Sequence, residues 1–479
     1  MIIQQYFTEG IAHSSYILSG NRTCAVIDPR RDTDLYVQHA RELGVRITHI
    51  LETHLHADFI SGHIDLAERT GAKIYAPKTA ECDFEHIPLS EGDSFMIEDM
   101  KIEVLETPGH TPEHISYIVA DTSRGEEPVA LFCGDTLFVG DVGRPDLFPG
   151  RAEELATKLY HSLHEKILSL PDFCEVYPAH GAGSLCGRAM ASKRTSTIGY
   201  ERLYNYALNI KKINDFIDIL TNSMPDAPDH FSRCTGINKE GPLPIKRLVP
   251  IKALNNEDFV ELAGRKDTAI LDIRSFESFG GQHIRNAYSI DLNSNFATYA
   301  GWLIPPDKNI LLVTDNYGQA LEACIQLHRV GLDMIEGFLE EGMFGWVTAG
   351  LETSHVPQIS IVELHRKITG VSDLVIVDVR SASEYENFHI HNSINIPVHE
   401  LRERFNELDK NAEIALMCGS GQRSSMGCSL LKQKGFEKIY NVAGGMTGYA
   451  AAGYGPECPR CVLPWAPFSD SKNTIKEDA

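Results

Sequence analysis

A multidomain protein built from mixed α/β domains is what the sequence predicts, and three observations carry that expectation. Its 479 residues are enough for two to four domains at roughly 100–200 residues each. Through the first part of the chain short β-type runs alternate with stretches of helical periodicity, each run being too short for a long helix and rich in β-branched residues. Past the middle the chain repeats itself. A composition of 43% hydrophobic and 23% charged residues is that of an ordinary globular protein with material for several cores.

The β-type runs come in the order "SYILSG", "TCAVIDP", "RITHILET", "KIEVLET", "PVALFCGDT" and "CEVYPAHG". Between them, "DTDLYVQHARELG" and "AEELATKLYHSLHEKIL" place apolar residues at helical spacing. Ligand-type side chains recur just after the strands. Gly and Pro then cluster without periodicity in "APDHFSRCTGINKEGPLPIKRLVP", residues 227–250, which marks a domain boundary. Beyond it "LDIRSFESFGGQHIRNAYSI" aligns without a gap on "VDVRSASEYENFHIHNSINI", matching Asp272 to Asp378, Arg274 to Arg380, His283 to His389 and Asn286 to Asn392. "EGMFGWVTAG" likewise echoes "GGMTGYAAAG". A repeat of roughly 100 residues exceeds the ~20–50 of a solenoid, so it reads as one α/β domain present twice. The expected domains are 1–245 including a linker, 246–355 and 356–479.

With 44 Lys and Arg against 66 Asp and Glu, the net charge of −22 argues against nucleic acid or an anionic membrane as partner. The first residues, "MIIQQYFTEGIAHSSYILSG", lack the basic region, apolar stretch and cleavage site of a signal peptide. No apolar run approaches the ~18 residues needed to span a bilayer. A cytoplasmic protein is therefore expected, whose 11 cysteines serve as packing, metal-binding or reactive thiols and not as disulfides. Assembly into a homo-oligomer stays open.

The segment "LETHLHADFISGH" holds His54, His56, Asp58 and His63, with Phe59 among them. It follows the strand-like "RITHIL", so several side chains leave one strand end together, as a metal requires. "TPGHTPEH" with His110, "FCGDTLF" with Asp135 and "YPAHG" with His180 each stand again at the end of an apolar run. In their order and contexts these pieces resemble the metallo-β-lactamase superfamily, which implies an αββα sandwich over about the first 200 residues, with metal at the strand ends. His63 and His114 match no ligand position and read as helix-face or loop residues.

In the dinuclear zinc hydrolases of that superfamily a histidine stands where this chain has Phe59, and a phenyl ring cannot coordinate. Carry-over from the mononuclear branch implies one metal site of His54, His110 and Asp135. Two imidazoles and a carboxylate with open positions are the facial triad of non-heme Fe(II) oxygenases. His56, Asp58 and His180 would then orient ligands or bound water. The stretch "GDTLFVGDVGRPDLF" resembles the persulfide dioxygenases, although those usually keep a histidine at the position of Phe59. The resemblance implies one Fe(II) per chain, O2 as co-substrate and a low-molecular-weight thiol persulfide as substrate. His and Asp ligands alone also accept Zn.

In the last domain "ALMCGSGQRSS" puts Cys418 after an apolar strand, in a Gly-rich loop that opens a helix. Amide N–H groups and the positive helix end stabilise a negatively charged sulfur there. Together with "VDVRSASEYENFHIHNSINIP" and "NVAGGMTGY" this resembles a rhodanese with the loop Cys418–Arg423. The resemblance implies that Cys418 carries a persulfide sulfur and that Arg423 helps bind an anionic donor or acceptor such as thiosulfate or sulfite. The middle copy offers only Thr314 or Asp315 at that position, and neither can carry sulfur, so it reads as an inactive rhodanese-like domain with Cys324 in its helix core.

Two weaker features remain. Cys186 and Arg188, just past His180, either touch a thiol substrate or are a packed cysteine and a solvated charge. Cys458 and Cys461 have the spacing of half a zinc site. Taken whole, the chain resembles fused persulfide dioxygenase/sulfurtransferases, which implies oxidation of a persulfide to sulfite and sulfur transfer giving thiosulfate. The alternative is a glyoxalase II-like zinc thioester hydrolase fused to a sulfurtransferase.

Overall fold

The structure is a computed structural model, which describes residues 1–454 apart from 189, 223, 225, 226, 371 and 372. Cys458 and Cys461 lie outside the described residues.

Period-two alternation along the N-terminal strands builds the layers. In the strand His13–Ser19, Tyr16 and Leu18 face one way and Ile17 the other; in Thr23–Ile27, Ala25 and Ile27 oppose Cys24 and Val26. These strands belong to a six-stranded sheet ordered Ile2–Thr8, His13–Ser19, Thr23–Ile27, Arg46–Leu51, Lys73–Pro77, Ile87–Leu89. A second six-stranded sheet runs Ser196–Thr197, Glu175–Pro178, Ala130–Gly134, Ile115–Asp121, Met100–Glu106, Ser94–Ile97. Tyr16, Leu18 and Ile27 from the first sheet meet Ile102, Val104, Tyr117 and Phe132 from the second in a shared core. On the outer face of the first sheet Tyr36, Ala40 and Leu66 come from the helices Asp34–Leu43 and His63–Thr70. Leu159 of helix Ala152–His161 covers the outside of the second. The result is the αββα sandwich expected from the resemblance.

All six sequence-read β runs are strands. The edge strands Ile2–Thr8, Ile87–Leu89 and Ser94–Ile97 were not legible, because half-exposed, mixed-polarity strands carry little periodic signal.

The two repeats have the same parallel sheet. Strands Ala253–Leu254, Ile335–Leu339, Asn309–Val313, Thr268–Asp272 and Tyr288–Ser289 are ordered as are Gln358–Ile359, Ile439–Val442, Ile414–Met417, Val375–Asp378 and Ile394–Asn395. The residues aligned by sequence do the same work in each. Arg274 forks onto Asp272 and Arg380 onto Asp378, each with a closest contact of 2.6 Å. His283 and His389 each bond a backbone carbonyl four residues earlier at 2.8 Å. Asn286 and Asn392 take left-handed φ of 63° and 64°, a conformation Asn tolerates better than most residues.

Compactness divides the chain into two units, and the cut passes through the middle repeat. Residues 295–309 and 318–336 group with Met1–Lys252; the rest from Ala253 onward forms the second unit. Within the first unit buried Arg31 pairs with Asp333 at 2.7 Å, Arg329 with Asp32 at 2.7 Å, and Thr298 donates to the Gly10 carbonyl. These ion pairs join residues about 300 positions apart, which composition and periodicity do not reveal. Among the described residues no helix is long and apolar enough to cross a membrane.

Candidate metal centre and thiol loop

Four loops leaving strand ends converge at one edge of the sandwich. His54 follows Arg46–Leu51, His110 precedes Ile115–Asp121, Asp135 follows Ala130–Gly134, and His180 follows Glu175–Pro178. His54, His110 and Asp135 are fully buried, and one ligand atom from each lies within 4.8 Å of the others. The Asp135 Oδ2 is 3.3 Å from His110 Nε2 and 3.9 Å from His54 Nε2.

The far side of each ring fixes its tautomer. His110 Nδ1 lies 2.9 Å from the Arg144 carbonyl, which only accepts, so Nδ1 holds the proton and Nε2 the lone pair. Thr53 Oγ1 donates its proton to Asp28 Oδ2, so at 2.9 Å it accepts from His54 Nδ1, and again Nε2 is the lone pair. Both Nε2 atoms and Asp135 Oδ2 are buried without a hydrogen-bond partner. Orphaned acceptors are costly in a protein interior, and three converging ones are satisfied together by a cation. Burial pushes the His54 and His110 imidazoles below their ordinary value and keeps them neutral, as ligation demands. Burial pushes the Asp135 carboxyl up, but His180 and His110 outweigh it and hold the group well below the usual carboxylate range.

His180 bridges two carboxylates, with Nδ1 2.7 Å from Asp135 Oδ1 and Nε2 2.8 Å from Asp58 Oδ2. His56 turns toward a different pair, its Nε2 lying 3.2 Å from Asp28 and 3.8 Å from Glu52. Cys186 is buried and shares a three-ligand group with Asp58 and His180. Arg188 is exposed, with its guanidinium 5.3 Å from the centre of the Tyr206 ring. The Phe59 ring is buried between His13 and His56, at centroid distances of 4.1 and 4.4 Å.

His114 lies in a loop and outside the ligand trio, as the sequence leads one to expect, but it supports that trio: its buried ring stacks on His54 at 4.8 Å and its Nε2 accepts the Asp135 backbone N–H at 3.0 Å. His63 does open a helix, but it is buried, 3.6 Å from Glu52. His13, fully buried with neither ring nitrogen bonded, was also missed. "AHSSY" carries no motif, and only the pairing of its strand brings it in.

Gly134 fits this site for a steric reason. Its φ is +49°, and a Cβ there would stand 2.5 Å from His114 Nε2 and 2.6 Å from Thr53 Oγ1. Gly134→Ala should therefore displace the props of both His54 and Asp135, lowering stability by about 1–3 kcal/mol as overpacking does. Thermal unfolding and metal content of the purified variant would both fall. An unchanged metal content would show that His114 and Thr53 do not position the ligands.

In the second unit, Cys418 follows strand Ile414–Met417 directly and helix Gln422–Gln433 begins four residues later. Its buried Sγ receives the Gly421 amide at 3.1 Å and lies 3.3 Å from the Ser424 hydroxyl, whose proton goes to Asn441 Oδ1 at 2.6 Å. The loop is clamped by the Met446 and Thr447 amides, which donate to the carbonyls of Cys418 and Gly419. Gly421 has φ +122°, a left-handed conformation that favours glycine, and a Cβ there would press on the Phe276 ring at 3.0 Å. Arg423 forks onto Glu384 at 2.6 and 2.7 Å, and the Glu384 carboxyl, though pushed up by burial, is held at about 2 by this pair. In the middle repeat Thr314 follows strand Asn309–Val313 directly and the helix opens at Tyr317. That loop is one residue shorter, and Thr314, not Asp315, stands where Cys418 does.

Comparison with known proteins agrees with both halves. Residues 8–180 match the metallo-β-lactamase superfamily, and residues 255–349 and 360–452 match the rhodanese-like domain. The chain belongs to the metallo-β-lactamase superfamily and carries two rhodanese-like domains behind that part. It is similar to a crystal structure described as a metallo-β-lactamase from Staphylococcus aureus, with 34% identity and a TM-score of 0.64 over 71% of this chain and 98% of that one. The mitochondrial persulfide dioxygenase ETHE1 of Mus musculus is 31% identical over 228 residues, 46% of this chain and 81% of its own length. A hydroxyacylglutathione hydrolase of Pseudomonas entomophila is 35% identical over 162 residues, 34% of this chain and 58% of its own length.

Proposed function

We propose that the first domain, residues 1–245, is an Fe(II)-dependent persulfide dioxygenase, that 246–355 is an inactive rhodanese-like domain, and that 356–479 is an active sulfurtransferase. The observation that supports it best is the trio of orphaned, tautomer-locked ligand atoms on His54, His110 and Asp135. Two imidazoles and a carboxylate leave open coordination positions, and they suit non-heme iron. Iron(II) held there would supply the redox chemistry for O2. The overall reaction converts R-SSH, O2 and water to R-SH, sulfite and two protons, the terminal sulfur giving up the four electrons that O2 takes.

The chain's own residues do the rest. His114 and Thr53 fix Asp135 and His54, and the Arg144 carbonyl fixes His110, so the ligands are preorganised. Asp58 and His180 stand beside them to hold a proton or orient the substrate's sulfur. Ala57, Phe138 and Phe231 form an apolar cluster with Cys186 that keeps this region dry. In the last domain the Cys418 thiolate attacks the outer sulfur of a second R-SSH, the S–S bond breaks, R-SH leaves and Cys418 keeps the sulfane sulfur as a persulfide. Sulfite attacks the outer sulfur, the S–S bond breaks toward Cys418, and thiosulfate leaves. The Gly421 amide stabilises the charged sulfur in both states.

The hydrolase relative favours a second reading, thioester hydrolysis at a zinc site. Incubation with a glutathione persulfide and, separately, with a glutathione thioester distinguishes the two. O2 uptake with sulfite formation supports the dioxygenase, and thioester cleavage without O2 uptake replaces it.

A further inference from the structure

We propose that the first domain carries a separate ligand site, a basic cleft at the end of the sandwich away from the metal centre, which takes a nucleotide through its phosphates. The strand Arg46–Leu51 starts beside this cleft and leaves toward His54, so strand length puts the two sites roughly 20 Å apart. This goes beyond the dioxygenase reading and does not depend on it.

One local pattern, used twice, builds the cleft. Helix Asp34–Leu43 ends at Gly44 and helix His63–Thr70 at Gly71, each glycine in the left-handed region with φ of 70° and 73°. Each turn feeds a strand that opens on a cation, Arg46 in one and Lys73 in the other, and the two strands are parallel neighbours. A Cβ on either glycine would meet nothing within 4 Å, so the turns leave open space. The cleft they share has a volume of about 600 Å³, within the range of small-molecule sites and far more than one tetrahedral anion fills. Arg41, Arg46, Arg69 and Lys73 line it, and none of its described lining residues is acidic.

Charge sets this cleft apart on a chain whose net charge is −22. Arg41, Arg46 and Lys73 make no ion pair with any described residue. Arg69 is matched, by Asp34 at 2.6 Å and Asp65 at 3.5 Å. Arg41 and Arg69 stand in the last turns of their helices, where the negative helix end favours a cation. Arg46 and Lys73 stand at strand starts, where no helix end calls for them. Like charges gathered in a cleft focus their field on an anion, and a guanidinium fork meets phosphate oxygens two at a time. His49 and Tyr75 also line the cleft, with ring centroids 5.2 Å apart and 22° between the planes. Burial and Lys73 push the His49 imidazole below its ordinary value, so it adds a flat ring and no charge. This half-buried pair gives a nucleobase a surface to lie against beside the cations that hold its phosphates.

The test is calorimetric titration of the iron-loaded full-length chain, kept anaerobic, with ADP, inorganic pyrophosphate and thiosulfate in separate runs. ADP should bind once per chain and at least about tenfold more tightly than pyrophosphate, which has no ring to stack; thiosulfate should bind more weakly again. Arg46→Glu and Lys73→Glu should each weaken ADP at least about tenfold, because each turns an attraction into a repulsion. Lys101→Glu, at an exposed lysine of the same domain that does not line the cleft, should leave ADP affinity unchanged, and circular dichroism confirms that each variant is folded. Absence of heat with ADP up to about 1 mM, or an affinity indifferent to both Arg46→Glu and Lys73→Glu, would overturn the site. Pyrophosphate or thiosulfate binding as tightly as ADP would overturn the nucleotide as its ligand. Because the readout is ADP binding far from the metal, failure here leaves the O2 assay unaffected, and failure of that assay leaves this one interpretable.

Discussion

His110→Ala should abolish persulfide-dependent O2 consumption and leave sulfur transfer at Cys418 intact. The His110 Nε2 is one of three buried, partnerless ligand atoms, 3.3 Å from Asp135 Oδ2, so its loss leaves two ligands for the metal. Removal of groups that merely support a ligand costs roughly 10–100-fold in affinity or activity. Loss of a ligand should cost at least about 100-fold in O2 uptake, with metal content falling in parallel. Transfer from thiosulfate to an acceptor, measured on the same preparation, should stay within about twofold of the parent. Loss of both activities in a folded variant would contradict the assignment of two separate chemistries.

Cys418→Ser should give the reverse. Serine keeps the loop's size and can still meet the Gly421 amide that now contacts Sγ at 3.1 Å, but an oxygen cannot hold a sulfane sulfur that sulfite could remove. Thiosulfate formation should fall to background, O2 uptake should persist, and sulfite should accumulate in place of thiosulfate. The change in product ratio is the useful readout, because a general loss of stability would lower both products together. Continued thiosulfate formation would place the transferred sulfur on a different group.

Much of this was legible in the sequence for physical reasons that also mark its limits. Strand-end residues such as His54 and Asp135 announce themselves, since an apolar run stops abruptly at a ligand-type side chain. The repeat was readable because Asp272 and Arg274 recur as Asp378 and Arg380, and each pair makes the same forked contact. The supports of the site were not readable. His114 looks like any loop histidine until its ring is found stacked on His54 and bonded to the Asp135 amide. The same holds for Thr53, whose hydroxyl sets the His54 tautomer only because Asp28, distant in sequence, takes its proton. Cys186 follows His180 by six residues, yet spacing could not say whether its sulfur faced the site or the core. The choice between Thr314 and Asp315 likewise needed the strand end, because a one-residue gap in a loop has no preferred place in an alignment.

The measurement that bears most directly on the central claim is O2 uptake by anaerobically purified, iron-loaded protein given glutathione persulfide or coenzyme A persulfide, with sulfite and thiosulfate assayed in the same vessel. One O2 consumed for each sulfite and thiosulfate formed together is the expected result. No uptake with either persulfide, by protein that retains its iron and cleaves a glutathione thioester, would contradict the dioxygenase and leave a hydrolase in its place.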